Sequence, residues 1–244
     1  MNRWLVAIVA ITVTLTASGC SESGAGSAPR LQVFAAASLT DVFPAIDDGP
    51  RYQFAGSDEL ALQIREGAGT DVFAAASPRY PLELFEEGLV EKPVAFATNE
   101  LVLIVPKDNR AGITTIDDLR DPDVKLVIGA EGVPVGDYTR QVLEKVGALD
   151  VLDHVASEEQ DVKGVVSKVR LGEADAGFAY VTDVKPAGDE IVSIALPAEA
   201  QPTVEYMVAV VASSSRVSEA EDFVALLMSS SGHSELRRAG FGVP

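Results

Sequence analysis

From residue 31 onward, short apolar runs alternate with amphipathic stretches, and this alternation restricts the chain more than any other feature. The strand-like runs are LQVFAAA (31–37), YQFAG (52–56), TDVFAAA (70–76), ELVLIVP (100–106), KLVIGA (125–130), DAGFAYV (175–181), EIVSIAL (190–196) and TVEYMVAVV (203–211). Between them lie helical stretches such as SDELALQIREGAG (57–69), GDYTRQVLEKVGA (136–148) and DVKGVVSKVRLGEA (161–174), each with its apolar residues on one face. Strands alternating with helices predict a mostly parallel α/β sheet flanked by helices on both faces. The six residues VFAAAS occur twice, at 33–38 and 72–77, so two strands shrink to alanine and stop at a serine. Small residues at a strand end allow either tight packing against the next helix or close approach of a ligand to the backbone.

The N-terminus carries one cation, Arg3, then an apolar run at 5–15 and the small-residue stretch TASGC ending at Cys20. This order is that of a signal peptide, and the run is shorter than the ~20 residues that span a bilayer as a helix. Cys20 is the chain's single cysteine, so no intramolecular disulfide can form. Its position after Ala17-Ser18-Gly19 resembles a bacterial lipobox, with alanine where leucine is usual. The expected organisation is a signal peptide at 1–19, a lipidated Cys20 with a flexible tether to residue 30, and a folded part from 31 to 244. Formal net charge is −18, and the acidic residues are scattered along the chain. Such a surface argues against a nucleic-acid partner.

Ligands of parallel α/β sheets bind where strands end and helices begin, and helix N-termini suit anions. Three junctions are candidates. At Ser38, a hydroxyl stands beside free helix N–H groups, although most such serines only cap their helix, and Asp41 three residues on completes a capping-box pattern. At Gly56-Ser57-Asp58, glycine allows close approach and serine begins a helix. VPVGDY (133–138) offers the N–H groups of Val135 and Gly136. Ser77 is followed by Pro78, which lacks an N–H, so it reads as a structural cap. The two histidines, His154 and His233, have no metal-ligand spacing, and neither a phosphate-binding loop nor a nucleophile elbow is present. An enzyme is poorly supported.

Taken in order, VFAAASLTDVF, FAGSDELALQIREGAGTDVFAAAS, FATNELVLIVP, VPVGDYTRQVLEKVGA, DVKGVVSKVRLGEADAGFAYVTD and the ending AGFGVP resemble the molybdate-binding proteins of bacterial ABC importers. The resemblance implies a two-lobed periplasmic-binding-protein fold of type II with two crossing segments. Lobe 1 is expected at 31–101 with 207–244, and lobe 2 at 102–206. It further implies a non-enzymatic carrier, monomeric and without a cofactor, that holds molybdate or tungstate in the cleft and passes it to a membrane permease. Ser38 and Ser57 would supply hydroxyl and backbone donors, Val135 and Val162 backbone N–H groups, and Tyr180 its phenol; molybdenum would be held only as its oxyanion. Asp58 departs from the family's small polar residue and leaves an acceptor near the site. The segment between Ser38 and Ser57 is short, which predicts a truncated first helix. Two alternatives stay open: another oxyanion such as sulfate, and a lipid-anchored enzyme on the same scaffold.

Overall fold

The computed structural model describes residues 30–244; the expected leader, Cys20 and most of the tether lie outside the described residues. Two five-stranded sheets organise the chain. The first half begins with β1 (Gln32–Ala36), a 3-10 turn (Ala37–Leu39), α1 (Phe43–Ile46), β2 (Arg51–Ala55), α2 (Ser57–Arg65), β3 (Val72–Ala75), α3 (Arg79–Glu86) and β4 (Val94–Asn99). The second half holds β5 (Leu101–Pro106), β6 (Leu126–Gly129), α4 (Pro134–Lys145), β7 (Ser157–Glu159), α5 (Val162–Arg170), β8 (Ala176–Tyr180), α6 (Val181–Ala187) and β9 (Ile191–Ala195). The chain then returns with β10 (Val204–Val210), α7 (Val217–Leu227) and α8 (Ser230–Ala239).

Strand order is β2-β1-β3-β10-β4 in the first sheet and β7-β6-β8-β5-β9 in the second. Each sheet has three adjacent parallel strands, β2-β1-β3 and β7-β6-β8. Each also has one strand that runs against its neighbours, β10 in the first and β5 in the second. Both are the strands with which the chain enters from the other half. Four of the five strands in each sheet thus run the same way, so the sheets are mostly parallel, as the alternation predicts, with one reversed strand apiece. The chain leaves the first sheet at Asn99 and enters the second at Leu101. It re-enters the first at Val204, which pairs with Asn99, a few residues before the position read from sequence.

The first helix is short, as the compressed segment predicts. Pro44 sits in its first turn, and Gly49-Pro50 lead directly into β2. Phe43 nevertheless anchors it, packing edge-on against Phe223 at 5.6 Å between ring centres. The C-terminal tail is tied down as well: Thr98 and Gly242 exchange backbone hydrogen bonds of 2.8 and 3.0 Å. A Cβ on Gly242 would lie 2.2 Å from the Thr98 hydroxyl, which would have to turn aside. No helix among the described residues is long and apolar enough to cross a membrane.

Candidate functional site

The three parallel strands of each sheet point their carboxyl ends at one small cavity of about 20 Å³. From the first half, β1 delivers Ala36, Ala37 and Ser38, β2 delivers Ala55, Gly56 and Ser57, and β3 delivers Ala76. From the second, β6 leads to Val133, Pro134 and Val135, β7 to Asp161 and Val162, and β8 to Tyr180. The five residues singled out from sequence, Ser38, Ser57, Val135, Val162 and Tyr180, thus line one space. Each is buried. None of the lining residues is lysine, arginine or histidine.

Four helix starts converge here: α2 at Ser57, α4 at Pro134, α5 at Val162 and α6 after Tyr180. The first N–H groups of a helix have no acceptor within it, and they carry its partial positive charge. Pro134 uses the one position where a missing N–H costs nothing, leaving those of Val135 and Gly136 free of helical partners. Asp161 caps α5, its carboxylate accepting from the Gly164 N–H at 2.9 Å, so one acidic residue of the wall is committed to its own helix.

The hydroxyls differ from what capping patterns predict. Ser38 caps nothing; its Oγ lies 2.8 Å from the Tyr206 hydroxyl. Its expected capping-box partner, Asp41, instead pairs with Lys163 across the two halves at 2.8 Å. Ser57 stands at the first position of α2, and its Oγ accepts the Ala76 N–H at 3.1 Å. Ser57 therefore keeps its own proton for the cavity. The Tyr180 hydroxyl is buried without a protein partner. Burial holds its pKa well above the ordinary value, so the phenol stays a donor.

Ser77 does not cap α3 as expected. Pro78 occupies the cap position, no side-chain cap bond is made, and Ser77 is not part of the cavity wall. Asp58 also lies outside that wall; burial raises its pKa, and one carboxylate oxygen is buried without a partner. Asp161 and Ala76 were not singled out from sequence. The former was readable as a cap before an apolar helix. Tyr206 and Asn99, behind Ser38, carried no local signal: Tyr206 is 168 residues away from it along the chain.

The two halves touch around the cavity. Arg79 reaches Asp137 at 3.4 Å, and the Tyr80 hydroxyl donates to the Gly132 carbonyl. A Cβ on Gly56 would come within 2.5 Å of the Gln160 carbonyl oxygen, so this approach depends on glycine. Among the described residues, no group of three His, Cys, Asp or Glu side chains could hold a metal ion.

The family described as bacterial extracellular solute-binding protein matches residues 50–242. The chain is 30% identical to the molybdate-binding protein ModA of Mycobacterium tuberculosis, over 99% of this chain and 100% of that one. It is 31% identical to the molybdate-binding protein ModA of Haemophilus influenzae, over 82% of this chain and 85% of the other. The periplasmic molybdate-binding protein of Azotobacter vinelandii shares the fold, with a TM-score of 0.77 at 21% identity, covering 88% of this chain and 100% of that structure.

Proposed function

The chain belongs to the bacterial extracellular solute-binding proteins, and from that premise we propose that it binds molybdate or tungstate between its two halves and delivers the anion to an ABC permease. The observation that carries this reading is the convergence of neutral donors on one small space whose wall has no cationic side chain and whose single carboxylate, Asp161, caps its own helix. A fully deprotonated tetrahedral oxyanion only accepts hydrogen bonds. Hydroxyls at Ser38, Ser57 and Tyr180, with N–H groups at Val135 and Val162, form a matching shell. Hydrogen phosphate carries a proton that needs an acceptor; these five groups serve as donors, and the one carboxylate of the wall, Asp161, already caps α5. Sulfate presents the same acceptor pattern as molybdate, so cavity size would separate those two.

Ser38 and Ser57 stand on the first half, and Val135, Val162 and Tyr180 on the second. An anion bound by both completes its shell only when the halves are together, so binding favours the closed form. In this reading lobe 1 comprises 31–101 with 207–244 and lobe 2 the stretch between, and the pairing of Val204 with Asn99 favours a return to lobe 1 a few residues earlier. Export through residues 1–19 and anchoring through Cys20 would hold the protein, as a monomer, at the outer face of the membrane beside its permease.

Calorimetric titration of the soluble part, from Ser21 onward, with molybdate, tungstate, sulfate and phosphate tests the proposal. One-to-one binding of molybdate and tungstate with sulfate and phosphate silent is the expected result. Preference for sulfate or phosphate would replace the ligand and leave only the fold.

A further inference from the structure

The direction of the hydrogen bond between Ser38 and Tyr206 decides whether Ser38 offers the cavity a proton or a lone pair. Two hydroxyls 2.8 Å apart can share a proton either way. The answer lies one step further back, at Asn99. Its carbonyl oxygen accepts the Glu100 N–H at 2.9 Å, which fixes the orientation of the amide. Its NH₂ group therefore faces the other way, toward Thr182 Oγ1 at 2.9 Å and the Tyr206 hydroxyl at 3.3 Å. An amide NH₂ can only donate. The Tyr206 oxygen accepts from it, and the single phenolic proton is left for Ser38. Ser38 then accepts, and its own proton points to the cavity.

We propose that Asn99 and Tyr206 are positioning residues, a two-step relay that fixes the Ser38 hydroxyl as a donor and so selects fully deprotonated oxyanions. This rests on the reading of the cavity as an oxyanion site. The surroundings favour a fixed relay. Tyr206 is 0% exposed, and its ring is held by Phe241, Tyr180 and Phe96 at 5.4, 6.0 and 6.1 Å between centres. Burial also keeps the phenol protonated. Ser57 reaches the same polarity by a shorter route, through a backbone N–H that cannot be reversed. Asn99 is the last residue of β4, at the crossing between halves, and its second bond goes to Thr182 on the other half. The relay is thus anchored where the halves join.

Asn99→Asp tests the relay by reversing it. A carboxylate at 99 accepts from Tyr206, Tyr206 accepts from Ser38, and Ser38 turns a lone pair to the anion. Calorimetric titration with molybdate should show a loss of about 100-fold, and the ratio of molybdate to phosphate affinity should fall with it. Adding Tyr206→Phe to Asn99→Asp cuts the reversed relay and should restore roughly tenfold of that loss. Simple charge repulsion or damaged folding would leave the double variant no better than Asn99→Asp, and that result overturns the relay. So does near-parental affinity in Asn99→Asp itself. If Asn99→Asp does not fold, Tyr206→Phe and Ser38→Ala decide the matter. The relay requires their double variant to bind molybdate no more weakly than Ser38→Ala alone, and additive losses overturn it. Absence of any oxyanion binding by the parent protein overturns the reading of the cavity and the relay together, whereas parental binding with unaffected variants overturns the relay alone.

Discussion

The two VFAAAS segments lie side by side in one sheet, paired Val33 with Val72, Phe34 with Phe73 and Ala35 with Ala74. Both end at the same cavity, yet their serines differ in fate. After the first copy, a 3-10 turn sets Ser38 in the wall with its hydroxyl against Tyr206. After the second, Pro78 takes the cap position of α3 and Ser77 stays out of the wall. The second copy contributes through its backbone instead: Ala76 lines the space, and its N–H holds the Ser57 hydroxyl. An identical strand thus delivers the chain to a place, and the residue after the serine decides what is presented there. Ala36 and Ala37 of the first copy and Ala76 of the second keep side-chain bulk out of a small cavity.

Substitutions can break this comparison at several points. Ser57→Ala should have the largest effect, because it removes a donor to the anion and also orphans the buried Ala76 N–H. A loss of about 3 kcal/mol in molybdate binding, roughly 150-fold, is expected by calorimetry. Ser38→Ala should cost less, about 2 kcal/mol or roughly 30-fold, since it removes one donor to the anion and orphans no backbone N–H. Equal losses would mean that Ala76 contributes nothing through Ser57.

A smaller effect concerns stability behind the first copy. Asp183 is 1% exposed, with Lys163 Nζ at 3.2 Å, and Lys163 also pairs with Asp41. Burial raises the Asp183 pKa from 3.8 to about 6 despite that lysine. The folded state therefore keeps a proton that the unfolded chain has released. The stability this confers is full below the unfolded pKa and is lost as pH rises through about 6. Asp183→Asn removes the dependence, so its melting temperature relative to the parent should climb between pH 4 and pH 6 and level off above. A difference that shrinks over that range would show that the lysine pairing outweighs burial. Ser77→Ala should be the mildest change, with molybdate affinity within about 0.5 kcal/mol of the parent. A large loss there would erase the distinction between the two copies.

Sequence alone was most informative where structure is local. The strand and helix alternation, the shortened first helix and the glycine at 56 each follow from neighbouring residues. Two strands escaped this reading. β7 is only three residues long, and β4 ends one residue before β5, so only the more apolar second strand stood out. Ser38, Ser57, Val135, Val162 and Tyr180 emerged from motif order, and the structure brings them to one cavity. What supports them was hidden. The bonds from Asn99 to Tyr206 and from Tyr206 to Ser38 span 107 and 168 residues, distances over which no spacing pattern operates.

The unequal division of the chain between the sheets has a consequence for how the protein is made. Every strand of the second sheet comes from the continuous stretch 101–195, so that half is complete in itself once this stretch is free to fold. The first sheet cannot close until β10 arrives between β3 and β4, and its edge is finished only when the final residues pair with Thr98. Long-range pairings of this kind are slow to form because distant segments must first meet. The half that emerges first should therefore fold last, with β6 and β8 gaining hydrogen-exchange protection before β1 and β10 in a pulse-labelled refolding experiment. The reverse order would show that β1, β2 and β3 form a stable sheet without the strand that joins them to β4.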